Sequence, residues 1–452
     1  VTTEVVILAA GQGTRMRSKL PKVLHQVAGK PMVAHVIESA KQIGADVIHV
    51  VIGHGADQVK ANIQDADINW VVQEKQLGTG HAVAQALPTI NDDSVVLVAY
   101  GDVPLVANQT LSSLVSAASD DTLSLLTVHL DIPAGYGRIV REAGSIKAIV
   151  EQKDANAAQL EITEVNTGIL AVSAKKLKQW LPTLSANNAQ GEYYLTDIIA
   201  LAVADGMQVL AQHPETTMEV EGANNRQQVA ALERFYQLQQ AQRLMSEGAT
   251  LADPQRIDIR GNLTIGQDIF IDINCVFVGD VSIADDVTIG PNCVIENSTI
   301  GQGSVIKANS VLENAIVGEA CDIGPFARLR PGTVLSNKAK IGNFVETKKA
   351  TIGEGSKVNH LSYIGDSNIG KGANIGAGTI TCNYDGVNKS VTTIGDGAFI
   401  GSNTALVAPV SVGKNATIAA GSIITANVAD EQLGVARGKQ RNIDGWKRPS
   451  KK

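Results

Sequence analysis

The 452-residue chain has only four cysteines, Cys275, Cys293, Cys321 and Cys382, and no two of them form a CxxC pair. That excludes a zinc ribbon or a disulfide framework and leaves thiols expected to be reduced. No apolar run approaches the roughly 20 residues that span a bilayer. The first residues also lack the basic segment and cleavage pattern of a secretory signal. A cytoplasmic address without membrane insertion is therefore expected. Positive charge is in deficit, with 38 Lys and Arg against 45 Asp and Glu and a net charge of -7. No general nucleic-acid surface follows from such a balance, and any anion site must be a local cluster. Histidine is also scarce: of eight, only His360 follows residue 213.

What the sequence does have is a period of six. Val317, Ile323, Leu329, Leu335 and Ile341 form one unbroken aliphatic run, and Ile394, Ile400, Leu406, Val412, Ile418 and Ile424 form another. The next residue is often Gly, as at Gly318, Gly324, Gly342, Gly395, Gly401 and Gly413, which suits a backbone turning sharply after a short strand. Six is neither a helical period nor a hairpin spacing. It reads as a parallel β-helix in which three hexads make a coil and stacked coils bury an aliphatic column. The alternative is an ordinary Gly-rich β domain.

The first half differs in kind. Val5 to Ala10, Val47 to Ile52 and Val95 to Tyr100 are near-continuous apolar runs with helical patterns between them. They predict parallel strands covered on both faces, in a doubly wound α/β domain whose ligands bind beyond the carboxyl ends of the strands. Residues 226 to 247 contain no Gly or Pro, and Val229, Leu232, Phe235, Tyr236 and Leu244 suggest one apolar stripe, so a connecting helix ended by Gly248 is expected. The expected domains are residues 1–226, a helical linker over 227–247, and the repeats over 248–452. The basic tail KRPSKK is expected to be mobile.

Chemistry is sought at the strand ends. Gly11-Gln12-Gly13-Thr14-Arg15-Met16 follows the first strand, and its backbone N–H groups can cradle phosphates. It is neither a Walker loop nor a dinucleotide fingerprint, because Lys-Ser/Thr and the third Gly are missing. Alone it is a tight turn, but Arg15 and Lys22 add two cations where a triphosphate needs neutralising. Asp102, after Tyr100-Gly101, should emerge on the same side and can hold Mg²⁺ against phosphates, although an isolated Asp there can equally cap the next element. The loops QEKQLGTG from Gln73 and EVEGANN from Glu219 carry groups able to read a base or complete a metal shell, or are only turns.

In the repeat half, function must lie where the pattern breaks. Arg330 stands where neighbouring hexads place a small residue, and Arg328, Lys348 and Lys349 add cations that could hold a sugar phosphate or simply face solvent. His360 lies in Asn359-His360-Leu361-Ser362-Tyr363. His is the side chain best suited to taking a proton near neutral pH, so His360 is a candidate general base. A lone His is more often structural. A loop insertion after Ile375, through Gly376-Ala377-Gly378 and Thr381 to Gly386, marks the working face of the solenoid beside it.

In order along the chain, GxGTRM, PK, QLGTGHA, YGDVPL, GYGR, VEQKD, VNTG and EGANN resemble the sugar-1-phosphate nucleotidyltransferases. The full-length pattern is similar to the bacterial bifunctional N-acetylglucosamine-1-phosphate uridyltransferase/glucosamine-1-phosphate acetyltransferase family. The resemblance implies that Leu8, Ala9, Ala10, Gly11 and Lys22 contact the nucleotide, Arg15 supports phosphate transfer, and Gln73, Gly78 and Thr79 read uracil. Tyr100, Gly101 and Asp102 border the nucleotide sugar. Asp102 and Asn224 match Mg²⁺ ligands, while Gly137, Glu151 and Asn166 match groups holding the amino sugar. Position 12, often Lys in relatives, is Gln here.

For the repeat half the resemblance implies Arg330 and Lys348 on the phosphate of glucosamine-1-phosphate, Tyr363 and Asn374 on its sugar, and His360 as general base. Ala377, Asn383, Tyr384, Ser402, Ala420 and Arg437 match positions that touch acetyl-CoA. It further implies a left-handed coil, where crossover rules alone favour a right-handed one, and a homotrimer with acetyltransferase sites between adjacent β-helices. The implied activities are acetylation of glucosamine-1-phosphate, then coupling of N-acetylglucosamine-1-phosphate to UMP from UTP, giving UDP-N-acetylglucosamine for envelope synthesis. The alternatives are a single-activity sugar nucleotidyltransferase with a structural or regulatory β-helix, and a repeat half that serves only assembly.

Overall fold

The computed structural model describes residues 2–450, so the last two residues of the basic tail lie outside the described residues. Two compact units divide the chain, Val1–Tyr236 and Gln237–Lys452. The division falls inside the helix Arg226–Glu247, which Gly248 ends with a φ of +116°.

The first unit is built on a nine-stranded sheet whose main path runs Gln208–Gln212, Thr122–His129, Glu164–Ser173, Ser94–Tyr100, Thr2–Ala9, Val47–Ile52 and Ile68–Val72. The three apolar runs expected to be strands are adjacent and parallel, with Ile7 opposite both Val50 and Ala99. Along this path one strand departs from the all-parallel expectation, Glu164–Ser173, which is antiparallel to both path neighbours, and off the path Arg138–Glu142 pairs antiparallel with it and with Ser145–Val150. Alternate residues explain why these strands read as continuous hydrophobic runs. Val5, Ile7 and Ala9 pack on one face with Val33, Val36 and Leu114, while Val6 and Leu8 pack on the other with Val83, Leu177 and Ile198. A smaller cluster joins Met16, Val27, Met32 and Leu105 to Leu232 of the long helix.

The second unit is a parallel β-helix. Phe270, Thr288, Val305, Asp322, Lys340, Lys357 and Asn374 are successive register partners seventeen or eighteen residues apart, one per coil. Ile271, Ile289, Ile306, Ile323, Ile341, Val358 and Ile375 follow them inward and are at most 2% exposed. From Asn374 to its partner Phe399 the step lengthens, and the extra residues form the loop around Asp385.

The glycines after the aliphatic positions serve a different purpose from the sharp turn expected of them. Only Gly324 of that set has a positive φ. At Gly342 a Cβ would lie 1.8 Å from the carbonyl oxygen of Asn359, and at Gly401 2.5 Å from the amide nitrogen of Ala420. They are glycines because the next coil passes too close for a side chain. The left-handed backbone is instead taken at a separate corner by Asn274, Asn292 and Asn309 and then, with φ of 56°, 56° and 47°, by Phe326, Phe344 and Leu361.

Candidate active sites

At the carboxyl ends of the first unit's central strands lies a cavity of about 330 Å³. Its walls include Leu8, Ala9, Ala10, Gly11, Lys22, Gln73, Gly78, Thr79, Tyr100 and Asp102, all named from the sequence, and Val23, Gln76, Ala82 and Glu192, which were not. Gly13 takes a left-handed φ of +63°, and a Cβ there would lie 2.7 Å from Lys22 Cβ, so this glycine lets the Lys22 segment close on the turn.

Four of the expected residues form one network. Lys22 Nζ donates to Asp102 Oδ2 at 2.5 Å and to Asn224 Oδ1 at 3.2 Å, and Arg15 Nη2 donates to the same Asn224 oxygen at 2.9 Å. Asn224 is itself held by its backbone N–H, which donates to Gln228 Oε1 at 2.8 Å. Asp102 and Asn224 thus turn two hard oxygen donors toward one cation. Among the described residues no group of three or more His, Cys, Asp and Glu forms a metal cage. Mg²⁺ suits such a sparse donor set, since it is commonly bound through one or two protein oxygens and takes the rest from phosphates and water.

Gln73 is buried at 3% exposure, and its Nε2 lies 3.2 Å from the carbonyl of Gly78 and 2.9 Å from His81 Nδ1. With its amide nitrogen engaged, its oxygen remains to accept from an imide N–H. Gly78 has a φ of +113°, and a Cβ would meet the Tyr193 carbonyl at 2.6 Å, so no other residue fits that turn.

Gly137, Glu151 and Asn166 gather a little apart. The Asn166 N–H donates to the Gly137 carbonyl at 2.9 Å, and Glu151 Oε1 would lie 3.2 Å from a Cβ on Gly137. Glu151 lines a different cavity, of about 270 Å³, with Asp154 and Asp197. Burial lifts its carboxyl above the ordinary glutamate range, against a bond accepted from Thr196 Oγ1 at 3.1 Å. Tyr100 links the two groups: burial raises its phenol, and Asp102 and Glu151 add to that effect.

In the β-helix, His360 is exposed, and its Nδ1 lies 3.0 Å from Asn343 Oδ1 on the preceding coil. Arg330 Nη1 donates to Glu346 Oε1 at 2.7 Å. Lys348 is held below the usual lysine range by the charges of Lys389 first and Arg330 next, which marks a concentration of cations. Tyr363 and Asn383 meet over Gly365, where a Cβ would lie 2.5 Å from the Tyr363 hydroxyl and 2.8 Å from Asn383 Nδ2. Asn374 lies one coil beyond Lys357. Tyr384 is exposed in the insertion, where it forms a β-bridge with Lys389 below the turn 385–388.

Ala377, Ser402 and Ala420 occupy successive coils at one corner. The Asn403 N–H donates to the Ala377 carbonyl and the Gly421 N–H to the Ser402 carbonyl, each at 2.8 Å. Arg437 closes the stack by donating to the Ala420 carbonyl at 2.8 Å. Asn343, Glu346 and Lys389 were missed from the sequence. The first two sit one coil, seventeen residues, before His360 and Tyr363, so a step of one coil would have found them.

Three family descriptions match segments of the chain: MobA-like NTP transferase domain over residues 5–147, GMPPB C-terminal domain over 259–345, and hexapeptide repeat of succinyl-transferase over 391–426. Bifunctional protein GlmU of Marinobacter nauticus is 65% identical over 448 residues, 99% of each chain. That of Pseudomonas entomophila is 61% identical over 452 residues, covering 100% of this chain and 99% of its own. Among solved structures, a nucleotidyl transferase from a Methanothermobacter covers 52% of this chain and 97% of its own at 20% identity and a TM-score of 0.39. Shared from end to end with the first two relatives at well over half of its residues, the chain belongs to the family of the bifunctional GlmU proteins.

Proposed function

We propose that the strand-end cavity of the first unit receives UTP and N-acetylglucosamine-1-phosphate, and that the coils around His360 receive glucosamine-1-phosphate and acetyl-CoA. The chain is a bifunctional transferase. One activity moves acetyl from acetyl-CoA to glucosamine-1-phosphate, and the other couples N-acetylglucosamine-1-phosphate to UMP from UTP, giving UDP-N-acetylglucosamine and pyrophosphate. The observation that carries the assignment of residues is the convergence of Lys22, Arg15, Asp102 and Asn224 on one point of the first unit.

In uridylyl transfer a phosphate oxygen of the sugar phosphate attacks the α-phosphorus of UTP and the bond to pyrophosphate breaks. No protein nucleophile is required. Gln73, Gly78 and Thr79 orient the uracil, and Lys22 and Arg15 offset charge that grows on the phosphates. Mg²⁺ held by Asp102 and Asn224 would supply further charge compensation there. Gly137, Glu151 and Asn166 hold the amino sugar, the Glu151 carboxyl offering oxygens to its hydroxyl or amide groups.

In acetyl transfer the amine of glucosamine-1-phosphate attacks the thioester carbonyl and its proton passes to His360; as the C–S bond breaks, His360 gives that proton to the departing CoA thiolate, which leaves as the thiol. Arg330 and Lys348 take the phosphate, Tyr363 and Asn374 the sugar, and Ala377, Asn383, Tyr384, Ser402, Ala420 and Arg437 the CoA. A homotrimer is part of this reading. Its support is the column of Phe326, Phe344 and Leu361, which are 48%, 55% and 63% exposed beside His360. The proposed address is the cytosol, consistent with four cysteines that stay free thiols.

Separation of the two activities by point mutation tests the assignment. His360→Ala should lower acetyl transfer roughly 100- to 10,000-fold, the usual worth of a positioned general base, while uridylyl transfer persists. Asp102→Asn should do the reverse, lowering uridylyl transfer on the order of 100-fold or more. A structural His360 would show up as a lower melting temperature with near-normal turnover per folded molecule, and parallel loss of both activities in either folded variant would contradict two sites.

A further inference from the structure

We infer that Asn343 is the positioning residue for His360, fixing the imidazole as the tautomer whose Nε2 carries the lone pair that takes the amine proton. The inference rests on His360 as general base and adds how that base is kept in a working state. His360 ends the strand Lys357–His360 and is in register with Asn343, which ends the strand Lys340–Asn343 on the preceding coil.

The backbones of both residues are pinned. The Asn343 carbonyl accepts from the Leu361 N–H at 3.1 Å, and the His360 carbonyl accepts from Ser362 Oγ at 2.8 Å and the Gly378 N–H at 3.3 Å. Just before Asn343, Gly342 passes so near the Asn359 carbonyl that no side chain fits. What remains adjustable at His360 is rotation of an exposed ring and the choice of which nitrogen bears the proton. Its Nδ1 lies 3.0 Å from the Asn343 amide oxygen, a pure acceptor. A neutral imidazole facing an acceptor must present N–H, so the proton resides on Nδ1 and Nε2 is left basic. The same contact holds the ring against rotation, with its Nε2 edge turned from the preceding coil.

The test uses the full-length protein and two substitutions. Asn343→Ala removes the acceptor, and Asn343→Asp restores one. The alanine variant should lose roughly 10- to 100-fold in the maximal rate of acetyl transfer, the usual loss when an orienting partner is removed. Its KM for both substrates, its melting temperature and its uridylyl transfer should hold. The aspartate variant should recover most of the rate and shift the acid limb of the rate profile to higher pH, because a carboxylate favours the imidazolium.

Independently of activity, ¹⁵N NMR of histidine-labelled protein, with the His360 signals identified by their absence in His360→Gln, should report Nδ1–H in the native chain and a tautomer mixture in Asn343→Ala. A native spectrum showing Nε2–H, or an unchanged maximal rate in the alanine variant, overturns the inference. If His360→Gln itself keeps full acetyl transfer, it is the general-base reading that fails, and the NMR result then stands on its own as a statement about the ring.

Discussion

The carboxyl of Glu151 is the side chain in the first unit whose environment most directly predicts a measurement. Burial raises its folded-state pKa above that of the unfolded chain, with Asp154 and Asp197 adding repulsion. Between those two pKa values the native state binds more protons than the unfolded one, so stability falls as pH rises through the window and is restored as pH falls. Glu151→Gln keeps an oxygen for Thr196 and removes the ionisation. The variant should therefore melt higher than the parent at neutral pH, with the difference shrinking toward pH 4, as followed by calorimetry across that range. A difference independent of pH would mean that Glu151 ionises as freely in the folded state as in the unfolded one. At this scale the sequence was legible where a motif carried the residue and silent where a partner came from another coil. Lys22, Asp102 and Asn224 lie in recognisable stretches, and the structure joins them. Asn343 and Glu346 belong to no motif, because their meaning depends on which residue lies one coil later.

Among the elements, the hexads announced parallel strands and a buried aliphatic column, since period and burial are tied by backbone geometry. The reason for the glycines was not readable in the same way. Sharp turning and close passage both call for Gly, and only the positions of atoms in the next coil distinguish them. Gly342→Ala puts the distinction to work. A Cβ 1.8 Å from the Asn359 carbonyl forces two coils apart, which should cost about 3 kcal/mol or more, at or beyond the upper end of over-packing. It should also depress acetyl transfer by displacing the strand that presents Asn343. Gly303, with a φ of +67° and open space around it, is the control: Gly303→Asn should cost under about 1 kcal/mol, because Asn tolerates that backbone. Urea melts of the two variants read the contrast, and equal stabilities would refute the close-passage account. In the first sheet the antiparallel strand Glu164–Ser173 was likewise invisible to periodicity, since a strand covered on both faces looks the same in either direction.

For the whole molecule, the corner residues Phe326, Phe344 and Leu361 bear on assembly. Each holds a left-handed φ that costs a bulky residue about 1 to 2 kcal/mol, where earlier coils use Asn. Phe326 and Phe344 stack with centroids 5.2 Å apart, which leaves their outer edges available. If this column packs against further copies, Phe344→Asn with Leu361→Asn should relieve backbone strain while lowering association at least tenfold. Sedimentation equilibrium would then detect smaller species at micromolar concentration, with uridylyl transfer retained. A parent protein that sediments as a monomer, or a variant that associates as well as the parent, argues against the proposed trimer. The division of the chain into an α/β half and a repeat half was evident from composition, and a homotrimer was expected from the family resemblance; the residues that would form its contacts were not legible, because the repeat pattern specifies what points inward and leaves the outward residues unconstrained.

The constant inward register of the coils, kept through steps of seventeen and eighteen residues, also sets what lengths the repeat half can take. Each coil meets its neighbours through the same register, with Ile271 followed by Ile289, Ile306 and Ile323 down one interior line. Adding or removing one entire coil ahead of Arg330 returns every later side chain to its former orientation, whereas adding a single residue inside a strand turns the following ones inside out. Length in this half is therefore quantised. It can vary only in whole turns of the solenoid, except at corners such as the one that carries the Asp385 loop, where extra residues leave the column through the side and rejoin it in phase.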